Sequence, residues 1–295
     1  MFILFFKYLF YGLKHSIYFV DYVADANCQA AWLFGEGGGV TVKDSSQNNN
    51  TATFKGVGEP AWGGKVPDFG IKGSAAGSVD FDENDDFIRV PHDASIDFAD
   101  QDFSIAIRIK GNVSVASTWI LCKGNGANPG LRYELVYDII KKFNFVIDDN
   151  VHKTELYYDP GDASRLSWNS FVFRRNVATN KLTIHFNGVE VRSGDDNTGS
   201  ISNIKDMFIG CGVSSGDTKT ASFGGSLTEL AIFDRLLNET EMIEIDNYGL
   251  RGKQPYPVGW LRKNLASGYN LFVCQYTKSK SLNYNPLKLP DGTIF

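Results

Sequence analysis

Apolar and polar residues alternate in short segments from Asn27 onward, and clusters of Gly, Asn, Asp and Ser separate these segments. The clearest is residues 103–110, FSIAIRIK, in which every odd-numbered side chain is large and apolar. Successive side chains of a β-strand point to opposite faces, so the pattern predicts a strand with one buried and one solvated face. Residues 143–148 and 182–186 repeat the alternation and predict two further strands.

The pair Asn187-Gly188 marks the clearest turn, since it joins residues 182–186 to the short apolar segment 189–191. Asn and Gly both adopt the positive φ angles of a type I′ turn, so this stretch predicts a β-hairpin. His185 falls on the outward face of the first strand of that hairpin.

Residues 238–246 carry the one helical pattern after the amino-terminal leader. Asn238 is placed to cap the first backbone N–H groups, and Glu241, three residues later, completes a capping-box spacing. The predicted apolar face of this short helix consists of Met242, Ile243 and Ile245.

Composition supports a β protein, because aromatic residues make up 14% of the chain, with 22 Phe and 13 Tyr. The 295 residues suit one large all-β domain, and we predict an antiparallel β-sandwich with one short helix near its end. The formal net charge is −5, with no long run of either sign. We therefore expect neither nucleic-acid binding nor membrane insertion of the main domain.

Three regions follow from the changes in pattern: a leader at 1–26, a main domain at 27–250 and a carboxy-terminal extension at 251–295. The first 13 residues are apolar but shorter than the roughly 20 needed to span a bilayer. Ala24-Asp25-Ala26 has the form of a signal-peptide cleavage site, whereas Lys7 interrupts the apolar run. Both a cleaved signal and an uncleaved leader are consistent with this segment.

Four cysteines, Cys28, Cys122, Cys211 and Cys274, are widely spaced and form no CxxC pair. This spacing gives no support for a zinc or iron–sulfur site. Buried thiols, or one or two disulfides in an exported protein, are the two remaining interpretations.

Several separated segments, taken in order, are similar to the laminin-G-like, concanavalin A-like jelly-roll family. The resemblance covers residues 28 to about 250 and implies the jelly-roll form of the β-sandwich. Two positions differ from the family pattern, since Gln47 replaces a usual loop glycine and Thr228 replaces the aspartate of an Asp-Glu pair. The segments are 31–36 with the loop 44–48, 77–82, 86–91, 102–108, 168–174, 181–188, 208–210 and 223–233.

The resemblance also implies a structural calcium ion, which requires six to eight oxygen ligands. The candidate carboxylates are Glu36, Asp44 and Glu229, which otherwise solvate loops or cap strands. The densest acidic cluster, Asp80, Asp82, Glu83, Asp85 and Asp86, has two interpretations of its own: a cation-binding loop or a solvated turn, of which we favour the turn.

Glycosidases on this fold use paired carboxylates, in a Glu-x-Asp-x-x-Glu strand in one group, and this chain lacks that pattern. The nearest strings, residues 83–88 and 244–249, fall on a turn and on the helix. The histidines lie on separate segments without an assignable partner. We therefore predict no catalytic residues.

Glycan sites on such sandwiches combine an exposed aromatic ring with polar side chains that bind hydroxyl groups. The candidates by position are Trp62, Tyr157, Tyr158, Asn125 and Asn128, with edge packing as the other interpretation of Trp62. The leading hypothesis is a non-catalytic adhesion module that binds a glycan or a protein surface, located outside the cell or on a virion. A glycosidase or polysaccharide lyase, and a structural component of a surface or virion assembly, are the alternatives.

Overall fold

The computed structural model describes residues 21–56, 60–63, 77–112, 117–124, 130–138, 142–214 and 219–250, and the backbone of 259–264 and 270–275. The chain divides into two units, the larger of which spans residues 19–254. The strands of this larger unit, in chain order, are β1 (Cys28–Trp32), β2 (Thr41–Val42), β3 (Ala52–Lys55), β4 (Ala61–Gly63), β5 (Ser78–Asp82), β6 (Phe87–Val90), β7 (Phe103–Gly111), β8 (Thr118–Gly124), β9 (Leu131–Tyr137), β10 (Phe143–Asp149), β11 (Lys153–Tyr158), β12 (Asn169–Asn176), β13 (Lys181–Phe186), β14 (Val189–Asp195), β15 (Met207–Ile209), β16 (Gly212–Val213), β17 (Lys219–Thr220) and β18 (Gly224–Phe233).

Two antiparallel sheets of eight strands each form the predicted sandwich. Sheet A has the order β14-β13-β12-β7-β18-β5-β4, and β1 also pairs with β18. Sheet B has the order β11-β10-β9-β8-β15-β6-β3-β2. The short hairpin β16–β17 forms a separate two-stranded sheet. The prediction of an all-β antiparallel sandwich is confirmed.

Alternating side chains from the inner faces of both sheets fill the core. On β7 these are Phe103, Ile105, Ile107 and Ile109, as the alternation predicts. The ring of Phe103 stacks on Phe98 with 4.7 Å between centroids. Each such side chain, when fully buried, contributes roughly 1.5–3 kcal/mol to the free energy of folding.

The prediction that the second face of β7 is solvated is wrong. Ser104, Ala106 and Arg108 are buried, and Lys110 is exposed. Helix α2 (Glu239–Tyr248) and the residues before β1 cover this face and form a second apolar cluster with it. Burial on both faces follows from docking of the helix, which alternation within one strand does not report.

The capping box of helix α2 is confirmed. Asn238 Oδ1 accepts a hydrogen bond from Glu241 N at 3.1 Å, and Glu241 Oε2 accepts one from Asn238 N at 2.7 Å. Met242 and Ile245, three positions apart, are buried against sheet A. Ile243 is exposed, so its assignment to the apolar face is wrong. A four-residue helix, α1 (Asp162–Arg165), lies between β11 and β12.

The Asn187-Gly188 hairpin is confirmed, because both residues have positive φ, 49° and 77°, between β13 and β14. His185 does lie on the face of β13 away from the core, but its side chain is buried rather than solvated. Its Nε2 lies 3.6 Å from the carboxylate of Glu190 on β14.

Residues directly before β1 belong to the packed domain. Tyr22 and Val23 are buried in the second apolar cluster, and the Tyr22 hydroxyl donates to Glu244 Oε2 at 2.6 Å. Asp25 pairs with the guanidinium of Arg235. Cleavage after Ala26 would therefore remove two core side chains and an ion pair. The preceding apolar segment lies outside the described residues.

The other unit contains the carboxy-terminal residues from 255 onward. Its described backbone forms one antiparallel hairpin, β19 (Gly259–Asn264) and β20 (Asn270–Gln275). In the part of the chain that the structure describes, no helix has the length and apolar character needed to cross a bilayer.

Candidate functional site

A row of side chains crosses the outer face of sheet B, on the side away from the core. The register pairs Thr53 with Arg89, Arg89 with Phe208, Phe208 with Cys122 and Cys122 with Glu134. Directly paired residues of neighbouring strands project on the same face of a sheet. The row therefore gathers side chains that are up to 155 positions apart in the chain, from Thr53 to Phe208.

A cleft of about 370 Å³ opens on this row, between strands β6 and β15 and the hairpin β16–β17. This volume is within the range of small-molecule sites, roughly 300–1,000 Å³. The residues that line it are Arg89, Gly124, Ile204, Lys205, Asp206, Phe208, Val213 and Lys219.

Aromatic rings and a lysine lie together at this cleft. Phe208 and Phe87 have ring centroids 6.0 Å apart, and Phe208 packs with Cys122, Cys211 and Val213 in a small apolar cluster. Lys219 Nζ lies 4.2 Å from the centroid of the Phe208 ring and 5.9 Å from that of Phe87. A cation above an aromatic face is stabilised by about 0.5–1 kcal/mol at exposed sites. The rings thus hold a positive charge at the cleft.

An ion pair forms a second part of the cleft. Arg89 Nε donates to Asp206 Oδ2 at 2.5 Å, and Asp206 Oδ1 also accepts from the backbone N–H of His92 at 2.9 Å. The Arg89 side chain nevertheless remains 49% exposed. Among the described residues, no second acceptor contacts its guanidinium. The two terminal Nη groups therefore remain available to a ligand.

The loop that carries Ile204, Lys205 and Asp206 is held from below by a buried lysine. Lys123 Nζ donates to the backbone oxygen and to Oδ1 of Asn203, both at 3.0 Å. Burial lowers the pKa of Lys123 to about 8, an effect that the carboxylates of Asp97 and Asp206 oppose. Ile204, next to Asn203, is 83% exposed at the rim of the cleft. The rim is therefore anchored although its apolar tip is exposed to solvent.

Beyond Cys122 the row continues into a buried charged group on β9 and β10. Arg132 Nε lies 3.2 Å from Glu134 Oε2, and Arg132 Nη2 lies 3.1 Å from Asp148 Oδ2. Burial raises the pKa of Glu134, and the charge of Arg132 opposes this rise. The two acids are only 4% and 1% exposed. Both acids therefore face one guanidinium in the interior of the protein.

The predicted aromatic residues do not come together in one site. Trp62 lies on β4, at one edge of sheet A, where its ring packs on Phe54 and its Nε1 donates to Gly39 O at 2.6 Å. Tyr157 and Tyr158 lie on β11, at an edge of sheet B. Tyr158 packs on Phe186, with ring centroids 5.3 Å apart.

The polar groups of the remaining candidates are those of Tyr157, Asn125 and Asn128. The Tyr157 hydroxyl donates to Glu155 Oε2 at 2.6 Å, which holds the ring on the outer face of sheet B. Asn125 and Asn128 lie outside the described residues. The role of all five side chains in glycan binding stays a prediction.

The three predicted calcium ligands contact protein donors instead of one another. Asp44 is buried and accepts from Ala31 N, Ser46 N, Ser46 Oγ and Asn50 N, at 2.7–2.8 Å. Glu36 is exposed and accepts from Lys43 N at 2.7 Å. Glu229 lies 3.8 Å from Arg108 and accepts from Leu250 N. Among the described residues, these three carboxylates do not form a group with closely spaced ligand atoms, and calcium binding by the chain stays a prediction.

Thr228 stands where the family pattern has an aspartate, and its hydroxyl donates to the backbone oxygen of Gly77 at 2.8 Å. An aspartate at this position, as in the family pattern, would place one acceptor against another. The threonine therefore satisfies the carbonyl without a cation.

The acidic cluster forms the turn between β5 and β6. Among the described residues, Asp82, Asp85 and Asp86 are the one acidic group with ligand atoms within 4.8 Å of one another. Asp82 accepts from Asn84 N and Nδ2, and Asp86 accepts from Asp82 N at 2.9 Å. Burial raises the pKa of Asp86, whereas the bonds from Asn84 lower the pKa of Asp82. These contacts are those of a hydrogen-bonded turn.

The described cysteines, Cys28, Cys122 and Cys211, are buried free thiols. Cys122 contributes to the row on sheet B, where its Sγ lies 3.4 Å from Glu134 Oε1. The side chain of Cys274 lies outside the described part of the chain. The thiol interpretation therefore holds for the three cysteines of the main domain.

Comparison with known proteins places this fold in a family. A laminin-G model described as the concanavalin A-like lectin/glucanases superfamily matches residues 82–242, more than half of the chain. The chain belongs to this superfamily, as the sequence resemblance implies. A search of the curated proteins finds no match.

Solved structures of similar fold include toxin binding domains. The binding domain of botulinum neurotoxin serotype G is 16% identical, with a TM-score of 0.56 over 75% of this chain and 50% of that domain. The binding domain of Paraclostridial Mosquitocidal Protein 1 is 14% identical, with a TM-score of 0.56 over 80% of this chain and 54% of that domain. The receptor binding domain of botulinum neurotoxin C/D mosaic serotype is 13% identical, with a TM-score of 0.57 over 88% of this chain and 65% of that domain.

These identities establish likeness of fold alone. The chain spans about half the length of the first two domains. What each domain binds is therefore a property of a larger protein than the region that matches here.

Proposed function

We propose that this chain is a non-catalytic binding module that recognises carbohydrate in the cleft on the outer face of sheet B. The observation that carries the proposal is the composition of that cleft, which joins an exposed apolar tip, Ile204, to hydrogen-bonding side chains such as Arg89 and Asp206. Sugars present both C–H faces and hydroxyl groups, and sites for them combine these two kinds of contact.

Fold relatives named as binding domains support a binding role at a coarse level. One relative of TM-score 0.55 was solved in complex with rat synaptotagmin II, so a protein surface is the competing partner. The burial of Glu134 and Asp148 supports the non-catalytic part of the proposal. A module of this kind acts outside the cell or on a virion surface, where glycans are displayed.

The test is a glycan array probed with the full chain, followed by calorimetry on each glycan that binds. Ile204→Asn changes the exposed rim, and Val189→Asn is the matched control, because Val189 is exposed on the edge strand β14. We expect binding that weakens several-fold in Ile204→Asn and is unchanged in Val189→Asn. Absence of any glycan ligand, equal affinity of both variants, or cleavage of the bound glycan would overturn the proposal.

A further inference from the structure

We infer that the cleft selects a sugar that carries a carboxylate, such as a sialic or uronic acid residue. This inference rests on the proposed function and adds the chemical class of the ligand. Three cationic side chains, Arg89, Lys205 and Lys219, line the cleft, together with one carboxylate, Asp206. The side chains that line the cleft thus carry more positive than negative charges, whereas the chain as a whole has a net charge of −5. Concentrated charge of one sign attracts a ligand of the other.

Arg89 has the geometry that carboxylate binding requires. A guanidinium binds a carboxylate through two parallel N–H donors, and the pair is strongest when the arginine is already oriented. Asp206 takes only the Nε group of Arg89, and Asp206 is itself held by His92 N. The ion pair therefore fixes the side chain while its Nη end remains free for a second carboxylate. The exposed fraction of Arg89, 49%, leaves room for that approach.

Lys219 adds a second positive charge at a defined place. Its Nζ lies above the ring of Phe208, the residue paired with Arg89 across β6 and β15. Because the ammonium covers this ring, a sugar cannot also stack there, and its apolar contact falls to Ile204 at the rim. The cleft thus combines two oriented cations with one apolar contact, which favours a charged sugar over a neutral one.

The experiment measures affinity of the full chain for 3′-sialyllactose, a glucuronic acid disaccharide, lactose and a sulfated lactose. We expect carboxylated sugars to bind about ten-fold more tightly than lactose, with affinity falling as salt rises. Arg89→Ala should lose about ten-fold, and Lys219→Gln, which keeps the Arg89–Asp206 pair, should lose several-fold. Arg192→Ala is the matched control, because Arg192 is also exposed and its Nε donates to one acceptor, Tyr157 O.

The outcomes separate this inference from the proposed function. Binding of lactose as tight as that of 3′-sialyllactose, abolished in Ile204→Asn, would overturn the carboxylate selection and leave the carbohydrate site standing. Tighter binding of the sulfated sugar than of either carboxylated sugar would also overturn it. Absence of all sugar binding would overturn both. Equal loss in Arg89→Ala and Arg192→Ala, with unchanged melting temperatures, would exclude the assignment of Arg89.

Discussion

Lys123 and Asn203 are joined by two hydrogen bonds, from one ammonium group to the backbone and side-chain oxygens of the same residue, both at 3.0 Å. Lys123 lies on the central strand β8 of sheet B, and Asn203 lies in the loop 196–206, which joins β14 to β15. Asn203 N in turn donates to Asp97 Oδ1 at 2.8 Å, so the loop is tied to the sandwich at two points. The rim of the cleft therefore depends on a buried charge beneath it.

Replacement of this lysine should loosen the rim. In Lys123→Met the two oxygens of Asn203 lose a charged donor, and we expect a loss of about 1–3 kcal/mol in the free energy of unfolding. Urea denaturation measures this loss. The control is Lys181→Met, because Lys181 is exposed and pairs with Asp195 at the surface, where an ion pair contributes about 0–1 kcal/mol. Equal effects of the two substitutions would contradict the anchoring role.

Stability should fall as the pH drops below neutrality because of His185. Burial and the nearby Arg174 guanidinium lower the pKa of His185 to about 4, against about 6.5 in the unfolded chain. Between these values the unfolded chain binds a proton that the folded chain does not, so acid favours unfolding. The effect amounts to about 3 kcal/mol by pH 4.

Urea denaturation at pH 7 and pH 4.5 tests this account. His185→Gln removes the titrating group, so its stability should depend less on pH than that of the parent. His152→Gln is the control, because His152 is an exposed histidine next to β11. The free energy of unfolding of this variant should change with pH as much as that of the parent. If the free energy of unfolding fell equally between the two pH values in the parent and in His185→Gln, His185 would not be the cause of the acid sensitivity.

Asp44 should contribute to stability without calcium. Each of its two carboxylate oxygens accepts two hydrogen bonds from protein donors. In Asp44→Asn an NH2 group replaces one of these oxygens, so two of the donors lose their acceptor. We expect a loss of about 2–3 kcal/mol, equal in calcium and in chelator. Glu36→Gln, at an exposed carboxylate, should change stability by less than about 0.5 kcal/mol. A melting temperature of the parent that rises with calcium, but not in Asp44→Asn, would instead support a calcium site at Asp44.

The three described thiols should react only after unfolding. Burial raises the pKa of Cys28 and of Cys211 to about 12, and it also raises that of Cys122. Because the thiolate is the reactive form, Cys274→Ser protein should give almost no fast reaction with a thiol reagent at pH 8. Urea should then expose three thiols. Fewer than three thiols in urea without a reductant would reveal a disulfide that the structure does not contain.

Signals that lie within a few residues predicted their features correctly. The inward face of β7, the hairpin at Asn187-Gly188 and the capping box of helix α2 are each specified by neighbours at most four positions away. Such features depend on backbone geometry and on side-chain periodicity, and both are read directly from a short segment. The resemblance in segment order extended these local predictions to a sandwich of known type.

Features that depend on contacts between distant segments were missed or mispredicted. Docking of helix α2 buried the second face of β7, and the same docking gave Arg108 and Glu229 buried partners. The carboxylates of Glu134 and Asp148 meet at Arg132 because β9 and β10 pair in one register, whereas a search along a single strand could not reveal them. The proposed site has the same origin. Arg89, Phe208 and Lys219 lie in separate segments with no common motif, so strand pairing and the packing of the hairpin β16–β17 on sheet B decide that they share one cleft.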